Sequence, residues 1–213
     1  MATAATQVGP PAPTGPDKPL PRMTYEEFLN WAGEDTLAEW VDGEVIVMSP
    51  ASRTHQDVAD FLTAIIRVYV EAKALGVVLS APFQMKLERG HEPDVLFVAA
   101  EHRERLTPGH LEGPADVVIE VMSTESADRA RDRGEKYFEY EEGGVREYWL
   151  IDPVRQEAEF YRLDERGIYR TVAHDEEGVF RSAVVEGFWL CVAWLWQDPL
   201  PPVLDVLRQL GLL

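Results

Sequence analysis

The sequence predicts an α/β domain in which a mixed β-sheet is flanked by helices. Two observations carry this. Residues 54–75 place Val58, Phe61, Leu62, Ile65, Ile66 and Tyr69 on one face at helical spacing, whereas four later runs (VVLSAPFQMKL, PDVLFVAA, ADVVIEVMS and EYWLID) are strand-like. A second helical stretch separates the third and fourth runs, so these two are expected to lie parallel through a right-handed crossover, while the closely linked strands before them pair antiparallel.

Taken in order, residues 1–22 (MATAATQVGPPAPTGPDKPLPR) are rich in Pro, Ala and Thr without apolar periodicity, and are expected to be a disordered tail. A single domain is expected over residues 23–213. Thr24 and Glu27 fit a capping box, with Met23 and Phe28 as its hydrophobic staple, so a short helix should run through Trp31. Trp40, Val45 and Val47 around Asp42-Gly43 predict a β-hairpin. The long helix is expected to stop at Gly76. PDVLFVAA and ADVVIEVMS are almost continuously apolar, as in strands buried on both faces. The crossover helix should span about residues 126–142 and close at Gly143-Gly144, and EAEFYRLDERGIYRTVA should form a hairpin turning at Glu165-Arg166-Gly167.

Composition narrows the function classes. The hydrophobic fraction of 46% supports a real core in a chain of 213 residues. Its one cysteine, Cys191, permits neither an internal disulfide nor a Cys-x-x-Cys zinc cluster and reads as a core residue. No bilayer-spanning stretch and no secretory leader is visible, so no membrane partner and a cytoplasmic location are expected. The net charge of -18 argues against a general nucleic-acid-binding surface. Action on DNA would then need locally placed positive charge and a bound divalent cation to invert the field. Phosphate-cradling glycine loops, the G-x-S-x-G elbow and H-E-x-x-H are all missing.

Two acids stand out because each interrupts an apolar run: Asp94 in Pro93-Asp94-Val95-Leu96-Phe97-Val98 and Glu120 in Val117-Val118-Ile119-Glu120-Val121. A buried carboxylate without a partner costs several kcal/mol, so each needs a cation, a donor or protonation. On neighbouring strands they could share one hard divalent metal; alternatively each pairs with Arg or Lys, or sits at a solvated strand end. Glu44 is either a third carboxylate or an ordinary exposed strand acid. His55, at the start of the long helix, is a candidate phosphate donor, acid or base, or merely part of the cap. Lys136 follows Arg129, Arg131 and Arg133 on the crossover helix. It either serves a nearby metal site, by positioning a water or stabilising a phosphoryl transition state, or belongs to a solvated face with Asp128, Asp132 and Glu135. Gln84, on the strand before Asp94, either faces the site as a polar orienting group or, as the alternation favours, is an outward polar residue; His91 and His110 read as loop residues without a role.

In combination, Val41-Asp42-Gly43-Glu44, His55, Pro93-Asp94-Val95, Val118-Ile119-Glu120-Val121-Met122-Ser123, Arg131-Asp132-Arg133-Gly134-Glu135-Lys136-Tyr137 and Gly144-Val145-Arg146-Glu147-Tyr148-Trp149-Leu150-Ile151-Asp152-Pro153 resemble the Uma2 family of restriction-endonuclease-like proteins, over about residues 24–196. The resemblance implies the PD-(D/E)xK nuclease fold: a restriction-endonuclease-like mixed sheet flanked by helices, with additional N-terminal and C-terminal β-hairpins. It implies Asp94 as the acid of the PD element and Glu120 as that of the ExK element. Met122 stands where the wider superfamily has lysine; Lys136 matches the place to which this family has moved it. Glu44 matches the acid of the N-terminal part and His55 a family histidine. The implied activity is Mg²⁺- or Mn²⁺-dependent hydrolysis of phosphodiesters in nucleic acid, expected to be DNA, with Asp94, Glu120 and the Val121 carbonyl as metal ligands. The alternative is a catalytically weak or inactive nuclease-fold module that binds nucleic acid or protein. The aromatic, leucine-rich C-terminal run, with Trp189, Trp194 and Trp196, exceeds what a core is expected to need and suggests a homodimer.

Overall fold

A computed structural model describes residues 22–32, 38–47, 51–122 and 134–213. Residues 1–21 of the expected tail, residues 123–133 with Arg129, Arg131 and Arg133, and with them the first part of the expected crossover helix lie outside the described residues.

Helix α1 (Tyr25–Trp31) begins at the capping box read from the sequence: Thr24 and Glu27 bond each other's backbone N–H reciprocally. Strands β1 (Ala38–Val41) and β2 (Glu44–Val47) form the expected hairpin, Val41 facing Glu44, with positive φ at Asp42 and Gly43 as a two-residue turn requires. Helix α2 (Arg53–Lys73) starts at the Ser52 cap and buries the predicted face. Its end differs from expectation. Ala74 takes the left-handed cap position, and Gly76 is instead the first residue of β3 (Gly76–Ser80). There a Cβ would lie 2.1 Å from the Val98 carbonyl oxygen, so glycine is demanded by strand contact and not by helix termination.

The run VVLSAPFQMKL is two strands in different sheets. It breaks at Ala81-Pro82, where proline cannot supply a ladder N–H, and resumes as β4 (Gln84–Lys86). After it come β5 (Gly90–His91), β6 (Val95–Ala99), a 3₁₀ turn (Ala100–Arg105), β7 (His110–Glu112) and β8 (Val117–Val121). The chain continues through α3 (Glu135–Gly143), β9 (Glu147–Asp152), β10 (Glu157–Leu163), β11 (Tyr169–Thr171), β12 (Val179–Arg181), β13 (Trp189–Cys191), a second 3₁₀ turn (Val192–Trp196) and α4 (Val203–Gln209).

The main sheet has the order β11-β10-β9-β8-β6-β3; its β8–β9 pair is parallel and the rest antiparallel, giving the expected mixed sheet. A second sheet, β2-β1-β5-β4-β7, carries the N-terminal hairpin. Alternation along the central strands divides the interior. Val95, Phe97, Val117, Ile119 and Val121 pack with α2 and the C-terminal elements. Leu96, Val98, Val118 and Met122 pack on the other face, with Tyr140 of α3 and Met85 and Leu111 of the second sheet. Trp194 is buried in the α2-side core, and Trp189, Trp196 and Cys191 pack against it. The C-terminal aromatic surplus is therefore largely consumed within the chain, which removes the observation from which a homodimer was inferred.

Candidate active site

Three elements converge where β6 begins and β8 ends. Val95 faces Ile119 across the antiparallel β6–β8 pair, so extending that register by one residue sets Asp94 opposite Glu120. Glu120 shares the parity of Val118 and turns toward the face where α3 packs, whereas Asp94 sits at the bend just before β6 and meets the first turn of α2. Asp94 is held at this edge by its own strand partner: its Oδ2 accepts the Val121 N–H at 2.7 Å. Since the N–H and C=O of one residue in an antiparallel ladder leave on the same side, the Val121 carbonyl is directed to that edge as well.

His55, in the first turn of α2, places Nε2 3.3 Å from the same Oδ2, and its backbone N–H is capped by Ser52. His55 thus belongs to the first turn beside the Ser52 cap and also reaches Asp94. The other oxygen of Asp94 takes no hydrogen bond among the described residues.

Glu120 is buried, and its Oε1 accepts from Lys136 Nζ at 3.0 Å and from the Tyr140 hydroxyl at 2.6 Å. Lys136 and Tyr140 are one helical turn apart on α3, so a single face delivers both donors to one oxygen. Burial, and then the charge of Glu120, hold the Tyr140 phenol well above its ordinary pKa, which keeps it a donor. Lys136 is 3% exposed and does not lie on a solvated face. The same Nζ is 3.0 Å from Oε1 of Glu39, whose side chain is 1% exposed.

Glu44 is placed differently. Its exposed carboxylate pairs with Arg22 at 2.7 Å, and the N-terminal acid that reaches the cluster is Glu39, five residues earlier on β1. Sequence reasoning passed over Glu39 because Ala38-Glu39-Trp40-Val41 reads as an ordinary alternating strand. The available signal was an acid whose apolar neighbours leave it no obvious solvated side.

Glu92 was also passed over, and the outward reading favoured for Gln84 is overturned. Gln84 is buried and donates to the Ala38 carbonyl at 2.8 Å and to Glu92 Oε2 at 2.7 Å, so it faces inward, contrary to the alternation argument. Desolvation is the main cause that pushes the Glu92 carboxyl up to about 7; the negative charge of Glu39 adds to it, and hydrogen bonds from Ala38 and Gln84 oppose it. His91 is buried too: its ring packs edge-on against Tyr140, and its Nε2 lies 2.9 Å from Glu139.

Among the described residues no group of three or more His, Cys, Asp or Glu forms a ready metal cage. The donors nevertheless fit a hard divalent cation. Among the described residues Asp94 keeps an oxygen outside its hydrogen bonds, Glu120 adjoins the Val121 that holds Asp94, and a backbone carbonyl is directed to the same edge. Mg²⁺ in particular is commonly held by one or two carboxylates, with waters and substrate phosphate completing its shell.

Among solved structures, the chain is similar to one described as a putative nuclease belonging to DUF820 from Anabaena variabilis ATCC 29413, at 17% identity and TM-score 0.65, covering 82% of this chain and 97% of that one. At that identity the likeness shows the fold. No curated protein matches. The Uma2 family model, described as "putative restriction endonuclease", matches residues 25–193, which include every residue of the cluster above, and the chain belongs to the Uma2 family.

Proposed function

We propose that the chain is a metal-dependent endonuclease that hydrolyses phosphodiester bonds, with DNA as its substrate. The observation that carries this reading is Asp94 bonded to the Val121 N–H, next to Glu120 at the end of β8, with the buried ammonium of Lys136 3.0 Å from Glu120. Membership of a family described as restriction endonuclease supports it.

In this reading Asp94, Glu120 and the Val121 carbonyl hold Mg²⁺ or Mn²⁺. The ion, when bound, acidifies a water and offsets charge on the scissile phosphate. Lys136 orients the attacking water and steadies charge developing on the phosphoryl oxygens. The Val121 N–H and His55 fix the Asp94 carboxylate, so that its other oxygen keeps one direction. Tyr140 does the same for Glu120 and remains protonated throughout.

The test is the pair of substitutions Asp94→Ala and Glu120→Ala, assayed together with Mn²⁺ and Mg²⁺ on plasmid, single-stranded DNA and RNA. Cleavage by the wild type that disappears in the double variant supports the assignment. Undiminished cleavage by the double variant sinks it. Metal binding without cleavage of any of these substrates would favour a nuclease-fold module that binds and does not cut.

A further inference from the structure

We infer that Lys136 and the catalytic cation compete for Glu120, and that Glu39 is the acceptor that retains Lys136 when the cation takes Glu120. The inference rests on the metal-dependent reading above. It concerns a residue, Glu39, that neither that reading nor the sequence put in the site.

The geometry is as follows. One ammonium, 3% exposed, lies 3.0 Å from an oxygen of each of two carboxylates, Glu120 and Glu39, that are themselves 5% and 1% exposed. These acids come from different sheets: Glu120 from β8 in the main sheet, Glu39 from β1 in the second. They therefore approach Lys136 from separate supports, and loss of one contact does not release the other.

Glu120 adjoins Val121, whose N–H holds Asp94 at the end of β8, where a divalent cation would be held. A cation at that edge and the ammonium would both draw on the charge of Glu120, and they repel each other. Without Glu39, the ammonium would have Glu120 as the sole member of this acidic pair to hold it, and would contest the cation directly. With Glu39, Lys136 keeps a buried counter-charge and stays beside the site, where its charge serves the water and the phosphate. Glu39 is thus a positioning residue that acts through Lys136, and its negative charge also raises the affinity of the site for a dication.

Calorimetric titration of the full-length protein with Mn²⁺ tests this without reference to cleavage. Lys136→Met should bind Mn²⁺ at least about tenfold more tightly than the wild type, since a repelling charge within a few ångströms is gone. Glu39→Gln, which keeps the shape of the side chain, should bind it about threefold to tenfold more weakly, and Glu39→Asp should recover part of that loss. Mn²⁺ should also raise the thermal midpoint of Lys136→Met by more than that of the wild type.

Lys136→Met affinity equal to or weaker than wild type overturns the competition. Glu39→Gln with lowered stability but unchanged Mn²⁺ affinity overturns the positioning role, because a purely structural acid would behave that way. Should Lys136→Met fail to fold, Glu39→Gln against wild type decides. No Mn²⁺ binding by either the wild type or Lys136→Met would overturn this inference and the metal-dependent reading together, whereas equal binding by both overturns this inference alone.

Discussion

Replacing Lys136 by Met tests the physical core of the site without any substrate. The ammonium is buried against two buried carboxylates, Glu39 and Glu120, each at 3.0 Å. At an effective dielectric of 20, each contact has a gross attraction of about 5 kcal/mol, most of which offsets the cost of taking the charges out of water. Methionine preserves much of the volume and removes the charge, leaving two acids in one another's field. Breaking a buried pair by removing one partner costs about 3–5 kcal/mol. For a chain of this size each kcal/mol moves the thermal midpoint by about 2–4 °C, so a fall on the order of 6–20 °C is expected. The assay is urea unfolding and thermal melting in EDTA at pH 8 and at pH 5. The deficit should be largest at pH 8 and should narrow at pH 5, where protonation of the carboxylates removes the unpaired charges. A deficit below about 1 kcal/mol, or one identical at both pH values, would refute the claim that a buried charge network holds α3 to β1 and β8.

Three further outcomes follow from the same structure. Glu92 has its carboxyl raised to about 7 from an ordinary 4.5, so the folded state binds the extra proton. Stability from this group is then fully present below about pH 4.5 and lost as pH rises through about 7, by roughly 3 kcal/mol; in EDTA, Glu92→Gln should flatten the urea midpoint over that window, and an unchanged slope would contradict it. Gly76→Ala should destabilise by at least about 2 kcal/mol in thermal melts, because its Cβ would collide with the Val98 carbonyl; a neutral result would mean that β3 and β6 can separate at little cost. Tyr140→Phe removes a donor to buried Glu120 and should cost about 1.5–3 kcal/mol in urea unfolding, a loss absent only if another donor replaces the hydroxyl.

The sequence by itself determined the elements whose signals are local. Helical spacing marked the buried face of α2, the Thr24–Glu27 pair marked the start of α1, Asp42-Gly43 marked a turn, and two acids set in apolar runs marked β6 and β8 as the strands to watch. Each of these depends on neighbours a few residues away, through backbone bonding or side-chain periodicity, so the chain carries them in one dimension. Tertiary structure alone decided which acid joins Lys136. Glu39 and Glu44 are near neighbours on one hairpin and look alike in sequence, yet Glu39 is sealed against α3 while Glu44 pairs with Arg22 in solvent. The same holds for Gln84, His91 and Glu92, whose burial depends on a second sheet packing beside the first, and for Gly76, whose constraint is a strand more than twenty residues away. Alternation tells which side of a strand a residue faces; only the packing of sheet on helix tells whether that side is water or another charge.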